Sequence, residues 1–194
     1  MKFYKTVWFK CVACLLAIAV ISGALLAILN NLLFVSPEMR TARAIEKIYG
    51  EKKEYTVILD VDAGDAAIEY EGVGTVNKIY EVSGDRLFCA TGFKGYKNGT
   101  VVLWVKVVSD GETYAIDKVL LETSEKQTLM SKLTGEFYEN FNLTDLTETF
   151  QNGEFFSATD ASAENYNPVS GATYSATAAA NAVNCVIKYL GGEN

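Results

Sequence analysis

The feature that most constrains this chain is an apolar run close to its N-terminus. Cys11 to Leu29 spans 19 residues without a charge, and apolar residues continue past Asn30-Asn31 to Val35. As a helix, roughly 19 residues rise about 28 Å, which nearly matches a bilayer core of about 30 Å. A cleaved signal peptide is the main alternative, but its apolar region is usually about 7–15 residues long. We therefore expect a retained transmembrane helix over residues 11–35.

Charge predicts the orientation of this helix. Lys2, Lys5 and Lys10 precede it without an acidic residue, whereas all 24 acidic residues of the chain follow it. Because basic flanks stay in the cytoplasm, we expect residues 1–10 to be cytoplasmic and the rest extracellular or periplasmic, although Arg40 and Arg43 argue the other way. The acidic balance of the exterior part argues against nucleic acid as a partner.

The exterior part is long enough for one domain with a sizeable core. Ser36-Pro37-Glu38 is typical of a helix start, and Tyr55 to Val61 is rich in β-branched residues and predicts a first strand. Four more strands are predicted at Val76–Val82, Arg86–Phe93, Thr100–Val108 and Thr113–Leu121. Short glycine-containing turns join them, so the strands must pair antiparallel as a meander.

Helical patterns follow the strands. A helix is predicted to open at Thr123-Ser124-Glu125, because apolar residues then recur at spacing four: Leu129, Leu133, Phe137 and Phe141. A last helix is predicted after Asn167-Pro168, with Ser170 as its N-cap and Gly191-Gly192 at its end. Its inward face is expected to contain Ala176, Ala179, Val183, Val186 and Leu190. Strands followed by helices predict an α+β fold in which helices flank an antiparallel sheet.

The start of the last helix carries the most distinctive motif of the chain, Ser170-Gly171-Ala172-Thr173-Tyr174-Ser175. The first N–H groups of a helix have no intrahelical partner, and the helix dipole is positive at this end. Such a site favours an anion such as a phosphate, either bound or covalently attached. A plain helix start built from small residues is the alternative.

This stretch resembles the flavinylation motif of the FMN-binding domain family, found in the G subunit of Rnf complexes and the C subunit of sodium-pumping NADH:quinone oxidoreductases. The match covers all five constrained positions, Ser170, Gly171, Ala172, Thr173 and Ser175. The resemblance implies that a flavin transferase attaches FMN to Thr173 through a phosphoester bond. It also implies that the other motif residues, including Tyr174, surround the cofactor.

Two further segments resemble the family. Gly92-Phe93-Lys94-Gly95-Tyr96 looks like its glycine- and aromatic-containing loop. Leu121-Glu122-Thr123 stands where the family has Glu-Thr before Pro and Gly, although Ser124-Glu125 follows here. The resemblance implies flavin contacts by Glu122 and Thr123; the alternative is a strand end and a helix cap. It divides the chain into a membrane-proximal helix and first strand over residues 36–70 and an FMN-binding domain over residues 71–194.

The resemblance implies a membrane-anchored flavoprotein that carries electrons on the outer membrane face. We expect a subunit of an Rnf-type ion-translocating electron transport complex, partnered by its other subunits, rather than a self-contained enzyme. A standalone flavinylated protein, a carrier that binds flavin without a covalent bond and a non-redox exterior binding or assembly module remain open.

Other chemistry has little basis in the sequence. The chain has no histidine, so the residues predict no histidine-based catalytic site, and its acidic residues show no metal-ligand spacing. Cys89 and Cys185 both follow the apolar run, where a disulfide between them is permitted.

Overall fold

The computed structural model describes residues 7–109, 111, 113–143, 146, 156–163 and 165–192. Its contacts define two compact units, one ending at Arg40 and one beginning at Thr41. Helix α1 (Val7–Leu33) lies in the first unit and is long and apolar enough to span a membrane, as the sequence predicts. Lys2 and Lys5, on which the predicted orientation partly depends, lie outside the described residues.

Helix α2 (Pro37–Tyr49) begins where its sequence predicts. The Ser36 Oγ accepts a hydrogen bond of 3.2 Å from the Met39 N–H, which satisfies one donor of the first turn. Gly50 follows the helix with a φ of +79° and donates its N–H to the Glu46 carbonyl at 2.9 Å. A left-handed residue at this position ends a helix, and glycine adopts it without a Cβ penalty.

Within the described residues, six strands form one antiparallel sheet. They are β1 (Thr56–Asp60), β2 (Ile68–Tyr70), β3 (Gly74–Val82), β4 (Asp85–Gly92), β5 (Val101–Ser109) and β6 (Tyr114–Ser124). Strands β3 to β6 are consecutive neighbours, so the predicted meander is confirmed. Strands β1 and β2 pair with opposite halves of β3, and residues 36–70 therefore contribute two strands to this sheet. Strand β2 was not predicted because three residues are too short for an alternating pattern.

Side chains alternate between the two faces of the sheet and form two cores. The larger core joins residues such as Phe88 and Leu103 to the last helix, α4 (Thr173–Gly192). The other core joins Leu87 and Trp104 to α2. Both faces of the sheet are covered, in agreement with the predicted α+β class.

Helix α4 lies unusually close to the sheet. A Cβ added at Gly92 on β4 would clash with the backbone of α4 at the Ala178 carbonyl. All five residues predicted to face inward are buried. The small alanines of α4 therefore allow backbone-to-backbone approach.

The helix predicted to open at Thr123 is wrong. Thr123 pairs with Val102, so β6 continues through Ser124, and Glu125 and Thr100 exchange backbone hydrogen bonds of 2.9 and 3.2 Å. A 3₁₀ turn and the five-residue helix α3 (Gly135–Glu139) follow. The apolar residues at spacing four still reach the larger core, except Leu129, which is 40% exposed. Pairing with the neighbouring strand overrides the local helical pattern.

The four cysteines are free. Cys89 belongs to the core next to α2 and Cys185 to the core next to α4. The sheet separates the two thiols, so the structure contains no bond between them.

A polar network connects β1, β3 and α2. The Lys78 ammonium lies 3.2 Å from the Asp60 carboxylate and 2.6 Å from that of Asp62. The Tyr80 hydroxyl donates to Asp60 and lies 3.3 Å from the Thr41 hydroxyl. Burial raises the pKa of Asp60, but hydrogen bonds from Tyr80 and Lys78 outweigh burial and hold it below its usual value.

Candidate functional site

The motif forms a tight turn that leads into α4. The Ala172 N–H donates to the Val169 carbonyl at 3.0 Å, and Gly171, the third residue of this turn, has a φ of +75°. A type II turn needs a positive φ at this position, and glycine adopts it most readily. The turn therefore gives a conformational reason for Gly171.

Ala172, rather than the predicted Ser170, is the N-cap residue. The Ala172 carbonyl accepts the first intrahelical hydrogen bond, from the Ala176 N–H at 2.9 Å, and the helix begins at Thr173. The prediction of Ser170 is wrong because the type II turn places two more residues between Ser170 and the helix. The N–H groups of Thr173, Tyr174 and Ser175 precede the first intrahelical bond, so they lie at the positive end of the helix dipole.

The segment before the motif is held by side-chain amides. The Asn167 N–H donates to the Ser157 carbonyl at 2.8 Å, and its Nδ2 donates to the Phe137 carbonyl at 3.0 Å. Farther along α4, the Asn184 amide exchanges two hydrogen bonds with the backbone of Phe156, at 2.9 and 3.0 Å. Strands β7 (Phe156–Ser157) and β8 (Asn165–Tyr166) are thereby fixed against α3 and α4. These hydrogen bonds fix the position of the segment that leads into the turn.

A groove opens beside the first turn of α4. It has a volume of about 280 Å³ and is lined by Tyr96, Thr128, Leu129, Gly171, Ala172, Thr173, Tyr174 and Ser175. Thr173 and Tyr174 are exposed, whereas Ala172 and Ser175 are buried. Thr173 thus combines an accessible position with the anion-favouring end of a 20-residue helix.

Two tyrosines form the aromatic part of the groove. The ring centroids of Tyr96 and Tyr174 lie 6.3 Å apart with an interplanar angle of 58°. Tyr96 is 39% exposed and Tyr174 is 63% exposed. The Lys97 ammonium lies 5.4 Å from the centroid of the Tyr96 ring. Exposed aromatic rings of this kind offer a surface on which a flat ring system stacks.

Lys132 adds a positive charge to the turn. Its Nζ donates to the Ser170 carbonyl at 3.3 Å, and it would lie 2.6 Å from a Cβ added at Gly171. The absence of a side chain at Gly171 therefore leaves room for this ammonium group. Charge and helix dipole act in the same direction and favour an anion near Thr173.

Gln127 connects the groove walls. Its Oε1 accepts hydrogen bonds from the Ser175 hydroxyl at 2.9 Å and from the Tyr96 N–H at 3.1 Å. Its Nε2 donates to the Glu125 carbonyl at 3.0 Å. One side chain thus joins the segment after β6, the loop after β4 and the start of α4.

Five of the six motif residues, Gly171 to Ser175, line the groove, whereas Ser170 does not line it and accepts the Lys132 hydrogen bond with its carbonyl. The other two predicted residues lie apart from the groove. The Glu122 carboxylate accepts a hydrogen bond of 2.8 Å from the Trp104 indole, beside the α2 core. Thr123 pairs with Val102 within the sheet. Neither residue lines the groove. Their flavin contacts stay a prediction without support from this geometry.

Gln127, Leu129 and Lys132 were missed as site residues. The predicted helix from Thr123 assigned Leu129 to a buried face and gave the two polar residues no role. Only the pairing of β6 with β5 and the turn at residues 130–132 bring them to the groove.

Comparison with protein-family models, curated proteins and solved structures found no match to this chain.

Proposed function

We propose that this protein is a membrane-anchored flavoprotein that carries FMN as a phosphoester on Thr173. The observation that carries the proposal is the position of Thr173, exposed at the start of a 20-residue helix and at the edge of an aromatic groove. A phosphoester there has its phosphate beside the first N–H groups of α4 and near the Lys132 ammonium. The five-position resemblance of the motif to the flavinylation motif points to the same hydroxyl.

The groove residues suit a flavin. Tyr96, Tyr174 and Leu129 supply aromatic and aliphatic surface, which is what an isoalloxazine ring needs on its faces. Pockets that enclose a ligand of this size usually have volumes of about 300–1,000 Å³. At about 280 Å³ the groove is smaller, so a ring seated in it stays partly open to solvent and to a partner. Partial exposure favours electron exchange with another protein.

When bound, FMN supplies one- and two-electron redox chemistry, and the chain supplies attachment and surroundings. Thr173 holds the phosphate by a covalent bond, which matters for an exterior cofactor that would otherwise be lost by dissociation. The helix start and Lys132 stabilise the phosphate charge. Tyr96 and Tyr174 limit the positions that the ring adopts.

The proposed location is the outer face of a membrane, with α1 as the anchor. The length and apolar character of α1 support anchoring, and the lysines before it favour a cytoplasmic N-terminus. The proposed cellular role is electron transfer as a subunit of an Rnf-type ion-translocating complex. A standalone flavinylated electron-transfer protein is the alternative that shares the same site.

The test is expression of the full chain with a flavin transferase, followed by denaturation, washing, digestion and mass mapping. We expect a flavin phosphate on the peptide that contains Thr173, loss of it in Thr173→Ala and retention in Thr173→Ser. Thr177→Ala is the matched control, because this threonine lies one turn later on α4 and its hydroxyl already donates to the Thr173 carbonyl at 2.9 Å.

Each other outcome selects a different function. Flavin colour that the denaturing wash removes would support a non-covalent carrier. No flavin before or after the wash would support a non-redox binding or assembly module. A flavin mapped to another peptide would overturn the assignment of Thr173.

A further inference from the structure

Gln127 lies where three segments of the groove meet. Its Oε1 receives the Ser175 hydroxyl, 48 positions later in the chain, and the Tyr96 N–H, 31 positions earlier. The two bonds converge on one oxygen atom, so the start of α4 and the Tyr96 loop are held relative to each other. Ser175 is the last constrained hydroxyl of the motif, and its hydrogen bond is made to the protein.

The loop that carries Tyr96 is built around the Gln127 amide. Gly95 and Gly99 are both buried, and a Cβ added at either would clash with Gln127 Nε2, at 2.6 Å in the case of Gly99. Larger residues at these two positions would therefore displace the amide. Because Gly95 and Gly99 have no side chains, the Gln127 amide fits between the loop and α4.

The same loop has an unfavourable backbone. Lys94, Lys97 and Asn98 have φ values of +65°, +51° and +57°, in the left-handed region that residues with a Cβ seldom adopt. Such conformations persist only where surrounding contacts determine them, and they occur often at binding sites. The hydrogen bond from the Tyr96 N–H to Gln127 lies in the middle of this loop.

We infer that Gln127 is a positioning residue that sets the separation of the Tyr96 and Tyr174 rings and thereby the site where the flavin ring stacks. This inference rests on the proposed function. Tyr174 directly precedes Ser175, and Tyr96 itself donates to Gln127, so the two rings are each within one residue of the bridging oxygen. Their centroid distance of 6.3 Å follows from this connection. In this account the Ser175 hydroxyl orients the site and does not touch the cofactor.

The first test uses the full chain without flavin, in detergent, by amide hydrogen exchange. Gln127→Ala should accelerate exchange at Tyr96 severalfold and leave exchange in the paired parts of β4 and β5 unchanged. Lys126→Ala is the control, since this exposed neighbour forms an ion pair with Glu125 and does not bond to the groove walls. Unchanged exchange at Tyr96 in Gln127→Ala would overturn the connection itself.

The second test uses flavinylated protein and the fluorescence of the flavin, which a stacked tyrosine quenches by electron donation to the excited ring. Tyr96→Leu, Gln127→Ala and Ser175→Ala should each raise the fluorescence per bound flavin severalfold. Because Gln127 sets the position of the Tyr96 ring relative to Tyr174, adding Gln127→Ala to Tyr96→Leu should raise the fluorescence by a clearly smaller factor than Gln127→Ala does alone. Independent, multiplicative rises or an unchanged signal in Gln127→Ala would refute the positioning role.

The two tests separate this inference from the proposed function. If the wild-type chain acquires no flavin when it is expressed with the transferase, the proposed function and the purpose assigned to Gln127 are both overturned, whatever the exchange rates are. A flavinylated chain in which Gln127→Ala changes neither exchange nor fluorescence leaves the proposed function intact and overturns only the inference.

Discussion

Substitution of Gly171 by alanine is the most direct test of how the motif turn works. Gly171 has a φ of +75°, and a residue with a Cβ in the left-handed region costs roughly 1–2 kcal/mol. For a domain of this size, each kcal/mol lowers the melting temperature by roughly 2–4 °C. We therefore expect Gly171→Ala to lower it by roughly 2–8 °C and to leave a folded protein.

The same Cβ would also displace Lys132. It would lie 2.6 Å from the Nζ atom, and the flexible end of a lysine side chain moves away at little cost. The ammonium group would then leave the Ser170 carbonyl and the region proposed for the phosphate. We expect less flavin on Gly171→Ala, by an amount that its loss of stability does not explain.

Gly50→Ala is the matched control for this experiment. Gly50 has nearly the same φ, +79°, and in the described part of the chain no atom beyond its immediate neighbours lies within 4 Å of an added Cβ. The two variants should therefore lose similar stability, while only Gly171→Ala loses flavin. Melting temperature and flavin content are measured on the same samples of full-length protein in detergent. Equal flavin in Gly171→Ala, Gly50→Ala and wild type would refute the role assigned to the turn and to Lys132.

Two further predictions concern topology and acid stability. A cysteine introduced at the exposed position Glu136 should react with a membrane-impermeant thiol reagent on intact cells, while buried Cys89 and Cys185 contribute little background; labelling only after lysis would contradict an exterior domain. Because folding lowers the pKa of Asp60, its network stabilises the fold above the unfolded pKa of about 3.9 and loses this contribution as the pH falls toward the folded pKa. Asp60→Asn should therefore melt lower than wild type at neutral pH and show a smaller fall on acidification, and an equal fall in both proteins would disprove the contribution of Asp60.

Several elements follow from local sequence alone. Helix α1 is specified by the length of an uncharged run, and α2 by a serine cap, a proline and a closing glycine. The β3 to β6 meander follows from apolar runs joined by turns too short for a parallel crossover. The start of α4 was predicted to within a few residues, because proline, glycine and an alanine-rich stretch act on the adjacent backbone.

The errors have a common physical origin. The residues after Thr123 have a helical apolar pattern, but hydrogen bonds to β5 extend β6 through this segment. A partner strand that is distant in the sequence contributes free energy that no local window contains. Residue type predicts Ser170 as the N-cap, whereas the type II turn at Gly171 places the cap at Ala172.

The apolar N-terminal helix, the antiparallel strands and the motif with its candidate threonine follow from the sequence, because each depends on neighbouring residues. The surroundings of Thr173 follow from contacts between distant segments, which form only in the folded chain. Gln127 and Lys132 contact motif residues that lie 48 and 38 positions later in the chain, through one amide and one ammonium group. Tyr96 packs beside Tyr174, 78 positions later, and donates its N–H to Gln127. Such contacts depend on where β6 ends and on how closely α4 approaches the sheet. Both are determined by the packing of the folded chain and not by neighbouring residues.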